Sequence, residues 1–326
     1  MRTRIPFALL AATLASSLFS LSAHARARVF VASYGNDANP CTFGSPCKTF
    51  QQAVNVVDAG GEVTAIDSAG FGPLNISKAV TITSPPGIEA SIAVPPGGTA
   101  IAVAAGANDI VTLRGLTLNG AGSGGYGIYL TTGGKLTVID CLVTNYTLYG
   151  ILVEPPAATT TTNTLVLISN TIVTDTPVAI ELATYGTGGI EANFGGLTLD
   201  NNGGSIEVFA QGGPIDLTVA NSQIGHNNDS GIYSLGLVNH ENWVSISLTN
   251  VAFGLMPIDI SLAGSTLLSM SHVTQSMSPR PRGTGYYPGG EGILCAGTYD
   301  FIDSDGTNFL TSNIDPGCQF FQLKTY

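Results

Sequence analysis

Apolar and polar positions along this chain alternate in a short phrase that returns seven times. It reads VTLRGLTL from Val111, LTVIDCLV from Leu136, LVLISNTI from Leu165 and ANFGGLTL from Ala192. It continues as LTVANSQI from Leu217, ISLTNVAF from Ile246 and LSMSHVTQ from Leu268. A second phrase, a small residue or Pro followed by Ile, accompanies the first: GIY at Gly127, GIL at Gly150, AIE at Ala179, SIE at Ser205, GIY at Gly231 and PID at Pro257. Successive starts of the first phrase lie 25, 29, 27, 25, 29 and 22 residues apart. One such unit cannot bury its own apolar face and must stack on its neighbours, which is the signature of a solenoid. Period-two alternation inside each unit makes the units short strands. The expected fold class is all-β, a parallel β-helix.

This register predicts two interior rows, one of Val111, Leu136, Leu165, Leu217 and Ile246, the other of Ile128, Ile151, Ile180, Ile206 and Ile232. Between strands, Gly115, Asp140, Ser169, Gly196, Asn221, Asn250 and His272 share one column. Gly, Asn and Asp tolerate the left-handed backbone that a tight corner requires, so the column is structural. Cys141 falls in the next column, with Leu116, Asn170, Leu197, Ser222, Val251 and Val273, and reads as a buried thiol.

Ahead of the repeats, Phe50, Ala53, Val54 and Val57 form one apolar stripe at helical spacing, predicting a helix over 49–57. A solenoid needs its open end covered, and this helix is placed to cap it. Residues 26–60 then comprise a strand at Arg28–Ser33, a Cys41/Cys47 loop and the helix, and residues 61–326 the β-helix. The segment PCKTFQQAVNVVDAGGEVTAIDSAGFGPLNISKAVTITSPPG resembles the entry to secreted β-helix proteins of the pectin-lyase-like superfamily. The strand and Ile repeats resemble the stacked coils of that superfamily. This resemblance implies a right-handed, single-stranded solenoid with three short strands per coil, its Ile strands in the sheet that often carries binding clefts.

The resemblance does not carry an activity with it. The polygalacturonase-like Asn-Thr-Asp, Asp-Asp, Gly-His-Gly and Arg-Ile-Lys signatures have only NTIVTD, LDNN and GHNND as poor counterparts. Pectinesterase-like QDTL and DFIFG strings are absent. Pectate-lyase-like chemistry wants Asp ligands for Ca²⁺ and an outward Arg or Lys as base. Arg114 and Lys135 are the only Arg or Lys residues between Val111 and Gln275, and neither falls in the Ile-strand column.

Residues 1–25 read as a secretory signal, with Arg2 and Arg4, an apolar run from Phe7 to Leu21 and an Ala23-His24-Ala25 cleavage site. That run is too short for a membrane span. An exported (extracellular, periplasmic or cell-surface) monomer is expected. Five cysteines in such a chain suggest two disulfides, Cys41–Cys47 closing a small loop and Cys295–Cys318 stapling the last turns, with Cys141 left over. Lys and Arg number 11 against 22 Asp and Glu. That balance lacks the concentrated basic footprint nucleic acid requires and repels polyuronates unless a cation bridges them.

Side chains alternate along a strand, so the residue after each Ile points outward. That column holds Tyr129, Leu152, Glu181, Glu207, Tyr233 and Asp259, with Glu154 expected beside Glu181. Small residues before each Ile are expected to leave a shallow accessible strip. Loops entering the sheet bring Asp175, Asp200 and His226; loops leaving it bring Tyr185 and His240-Glu241-Asn242-Trp243. The pattern suggests an acidic, aromatic-lined groove with Glu181, Glu207 and His226 as candidate catalytic residues. Tyr129, Tyr233, Glu154, Asp175, Asp200 and Asp259 are candidate ligand contacts, and Ca²⁺ is a candidate cofactor held by the carboxylates. The function expected is contact with extracellular or cell-surface polysaccharide, by binding or by lyase- or hydrolase-type cleavage. The rival reading is a non-enzymatic structural or adhesive surface protein.

Overall fold

The computed structural model describes residues 27–132, 134–155, 163–237, 243–275, 291–296, 299–304, 307–308, 313–314 and 318–321. The expected signal segment, His240-Glu241-Asn242 and the insertion Ser278–Gly290 lie outside the described residues.

Each coil uses three strands, as in Lys135–Ile139, Leu142–Thr144 and Tyr149–Val153. The third strand of every coil enters a ten-stranded parallel sheet, here called the Ile sheet. The first and second strands make up a second sheet of 19 strands. Ile101, Ile128, Ile151, Ile180, Ile206, Ile232, Ile260 and Ile293 pair in unbroken register, and all are fully buried. Opposite them, Val111, Leu136, Val166, Ala192, Leu217, Ile246 and Leu268 form the matching row of the second sheet. Burying one such aliphatic side chain stabilises the fold by about 1.5–3 kcal/mol. A fixed repeat supplies this gain in every coil.

The chain turns between first and second strands through Gly115, Asp140, Asn170, Gly196, Asn221, Asn250 and His272, all with φ between 49° and 69°. A second corner, before the Ile strand, uses Asn145, Asp175, Asn201 and His226 at φ 50–60°. L-residues with Cβ pay for this conformation, and Asn and Asp pay least. Their side chains link successive coils, as where Asn250 Nδ2 donates to Asn221 Oδ1 at 2.8 Å.

Two expected positions need correction. The row member of the third repeat is Val166 and not Leu165, and the corner residue is Asn170 and not Ser169. Thr171 consequently takes the place expected of Asn170 beside Cys141. The apolar run Leu165-Val166-Leu167-Ile168 fits either phase, and the left-handed corner at Asn170 selects one of them.

The predicted helix spans Phe50–Val56 and packs against the strands Arg28–Val31 and Leu74–Ile76 at the N-terminal end. Thr49 Oγ1 accepts from the Gln52 amide at 3.1 Å to cap it. Its buried face is Phe50, Ala53 and Val54, with the Phe50 ring 4.9 Å from that of Phe71. Cys41 is joined to Cys47 and Cys295 to Cys318. Cys141 is a buried free thiol lying 3.3 Å from the Ile139 carbonyl, and burial pushes its pKa up to about 11.

Candidate functional site

The outer face of the Ile sheet is built from strands whose burial pattern has two consecutive inward residues, the small residue and the Ile. A Cβ on Gly127 would lie 2.7 Å from Val143 Cγ1, and one on Gly150 2.5 Å from Val173 Cγ1. The small residues therefore sit buried at the bend into the sheet, packed on the second strand's valines. They do not form the accessible strip expected from sequence.

Outward positions begin one residue beyond each Ile. The register runs Ala102, Tyr129, Leu152, Glu181, Glu207, Tyr233 and Ser261. Glu181 and Glu207 are direct neighbours, about 4.8 Å apart along the axis by strand spacing. Tyr233 flanks Glu207, with its ring 5.7 Å from that of Phe209. Tyr129 is separated from Glu181 by Leu152, and its hydroxyl donates to Glu154 Oε2 at 3.0 Å.

Asp259 does not belong to this column. In the segment PIDIS the row is held by Ile260, so Ser261 takes the outward place and Asp259 falls in the buried small-residue column, 5% exposed. Burial raises its carboxyl pKa to about 7. The segment offers two isoleucines two apart, and the earlier one is the wrong choice.

Two tyrosines absent from the expected set complete the face. Tyr126 and Tyr149 pair in the outward column that precedes the bend; their rings stack 5.8 Å apart at 13°. Tyr126 also stacks on Tyr129, at 5.3 Å and 17°. The sequence signal was available as Tyr-Gly-Ile in consecutive coils, Tyr126-Gly127-Ile128 and Tyr149-Gly150-Ile151. The Tyr149 hydroxyl reaches Glu181, and Tyr185 from the leaving loop lies close enough to Glu154 and Glu181 to feel both charges.

Glu181 is only 8% exposed. Burial, then the Glu207 charge and the Glu154 charge, push its pKa up to about 7, against the opposing hydrogen bond from Tyr149. Glu207 is raised by burial and by Asp229. No Lys or Arg stands in the outward columns that hold Tyr126, Tyr129, Glu181 and Glu207; Arg114 and Lys135 belong to the second sheet. The carboxyls thus rest on tyrosine and on one another. At neutral pH the pair can hold one proton and one charge, an arrangement able to give and take a proton.

The remaining candidates lie elsewhere. Asp175 occupies the second corner, accepting from Asn201 Nδ2, Thr144 Oγ1 and Thr174 Oγ1 at 2.5, 3.4 and 3.1 Å. It is a corner link. Asp200 faces outward on the second sheet, and its Oδ1 lies 2.7 Å from Nδ1 of His226 in the next corner. Neither joins the Glu pair. Among the described residues no group of three or more His, Cys, Asp or Glu is arranged to hold a metal ion.

With this geometry in place, solved structures provide a comparison. The chain is similar to pectate lyase Pel9A with a TM-score of 0.56 at 12% identity, covering 88% of this chain and 78% of that one. The fold is that of the pectate-lyase-like β-helix proteins. Weaker likenesses extend to a rhamnogalacturonan lyase (TM-score 0.42, 11% identity, 90% and 86% covered). They extend also to tailspike protein 2 of Escherichia coli O157:H7 bacteriophage CAB120 (TM-score 0.48, 13% identity, 86% and 46% covered). No protein-family model matches the chain, and comparison with curated sequences returns no match.

Proposed function

We propose that this is an exported β-helix protein that contacts extracellular or cell-surface polysaccharide along the outer face of its Ile sheet. The observation that carries the reading is the stacked tyrosine platform of Tyr126, Tyr129 and Tyr149 running into the pair of buried Glu181 and half-buried Glu207. Tyrosine combines an apolar face with a hydrogen-bonding tip, the two properties a sugar ring needs from its binding surface. The fold shared with a pectate lyase supports a glycan partner. Two disulfides support an oxidising, extracytoplasmic location.

The charge of the face narrows the polymer. Among the described residues these carboxylates have no basic neighbour and repel polyuronates, so a neutral glycan is favoured. Cleavage is a second reading, favoured by the raised pKa of Glu181 beside Glu207. It is of hydrolase type, since glutamates on strands about 4.8 Å apart can bring their carboxyls to the separation of about 5–5.5 Å that suits retaining glycoside hydrolysis. Pectate-lyase-like cleavage would instead need a cation and an outward Arg or Lys as base, and the described residues of this face include no Arg or Lys.

The purified protein should be screened by affinity electrophoresis against neutral and acidic polysaccharides, with and without Ca²⁺, while release of reducing ends is followed. Retardation by a neutral polymer without Ca²⁺ is expected. If no polymer retards the protein or is cleaved, the structural or adhesive reading replaces this one.

A further inference from the structure

The second sheet carries an open cavity of about 570 Å³ on its outer face, at the strands Thr198–Asp200, Ile215–Gly225 and Val244–Phe253. Thr198, Asp200, Gln223, Gly225, His226 and Gly254 line it. It shares no residue with the tyrosine–glutamate face. We propose that it is a second, separate glycan site, taking one uncharged pyranose ring through its hydroxyls.

The hollow exists because two side chains are missing where earlier coils have them. The outward position reads Asn119, Thr144, Thr174 and Asp200 in successive coils, then Gly225, followed by Gly254. Neither glycine has the positive φ that would demand it. A Cβ on Gly225 would meet nothing nearer than 3.4 Å, an ordinary contact. The backbone does not require glycine at 225. Glycine at a strand end carries an entropic cost and marks places where a ligand or another backbone comes close. Cavities of this volume fall within the range of small-ligand sites.

The chemistry of the rim selects the ligand. Asp200 Oδ1 fixes the proton of His226 on Nδ1, leaving Nε2 as an acceptor in the neutral ring. Asp200 Oδ2 makes no hydrogen bond to another described residue. Oδ2 and Nε2 are each able to accept from a sugar hydroxyl. Thr198 and Gln223 offer both donors and acceptors on the neighbouring outward position. Among the described residues no Lys or Arg lines the cavity, so a uronate or phosphorylated sugar meets the Asp200 charge without a basic partner.

The test uses the full chain with its histidine rings ¹³C-labelled. Cellotriose, mannotriose and xylotriose are titrated in turn, with tri-galacturonate as the charged control. At least one neutral trisaccharide should shift the His226 ring resonances, and tri-galacturonate should not. Gly225→Val fills the hollow and should weaken that binding at least tenfold; Glu181→Gln, on the other face, should leave it unchanged. Asp200→Ala, at an exposed position, should give the same tenfold loss without touching the backbone. The proposal is overturned if no neutral trisaccharide moves the His226 ring. It is equally overturned if the shift survives both Gly225→Val and Asp200→Ala, or follows Glu181→Gln. Any of these leaves the polysaccharide screen of the Ile-sheet face untouched.

Discussion

Asp175 and Glu181 are six residues apart, both acidic, and they belong to two different regimes of this molecule. Asp175 stands in the second corner at φ 57°, and its carboxylate accepts from three neighbouring side chains. Glu181 stands on the Ile sheet with ordinary strand backbone, nearly buried, facing two other carboxyls and a tyrosine hydroxyl. The corner needs Asn, Asp or Gly for conformational reasons, and the side chain then repays the backbone by linking coils. Nothing in the strand geometry asks for glutamate at 181 or 207. Polar residues that the backbone explains carry little functional information, whereas a buried carboxyl that the backbone does not explain carries much more.

The largest expected effect belongs to the corners. A Cβ at Gly115 (φ 69°) would lie 2.4 Å from the Ser84 carbonyl oxygen, so Gly115→Val should cost about 3 kcal/mol or more. Chemical denaturation measures this; a loss below about 1 kcal/mol would place the strain elsewhere.

Next in size is the pH dependence of stability. The folded pKa of Glu181 is about 7 against an ordinary 4.5, so the folded chain holds that proton more tightly than the unfolded chain. Stability is then full below about pH 4.5, declines as pH rises through 7 and is flat above, a loss on the order of 3 kcal/mol from this group. Asp259, raised from 3.8 to about 7, adds a decline of the same sign. Glu181→Gln should remove its share, making the variant more stable than wild type at pH 8 and equal to it at pH 4. Stability that rises with pH over this interval would contradict the uncompensated pair.

Smaller effects sharpen the contrast. Asn221→Ala should lose about 1–2 kcal/mol through the left-handed backbone, and Asn221→Gly should lose less. Equal losses would mean that the hydrogen bond from Asn250, and not the conformation, sets the cost. Smallest of all, Tyr149→Phe keeps the ring stack but removes the bond that holds the Glu181 pKa down. The Glu181 carboxyl, followed by ¹³C NMR, should titrate at a higher pH than in wild type.

Most of the architecture was legible because a solenoid repeats its evidence in every coil. The Ile row from Ile128 to Ile232 could be read directly, since Ile recurs there with a small residue before it. Phase failed where the chain offered two apolar choices, at Leu165/Val166 and at Ile258/Ile260. It is decided there by corner geometry and by neighbouring coils. The site was half legible. Glu181, Glu207 and Tyr233 followed from alternation, but alternation breaks at the bend, where two consecutive residues turn inward. Tyr126 and Tyr149 sit just before that bend and were lost with it. Asp175, Asp200 and His226 looked convergent along the chain, yet the corner directs Asp175 into coil linkage and turns Asp200 toward the second sheet.

The proposed function makes the Glu181–Glu207 pair and its tyrosines the working surface. The most direct measurement is polysaccharide binding and reducing-end release by Glu181→Gln and Glu207→Gln, with melting followed in parallel at pH 5, where wild-type Glu181 is protonated. Loss of binding or turnover with an unchanged melting temperature at that pH is the predicted result. Variants that bind and turn over every glycan as wild type does would contradict it.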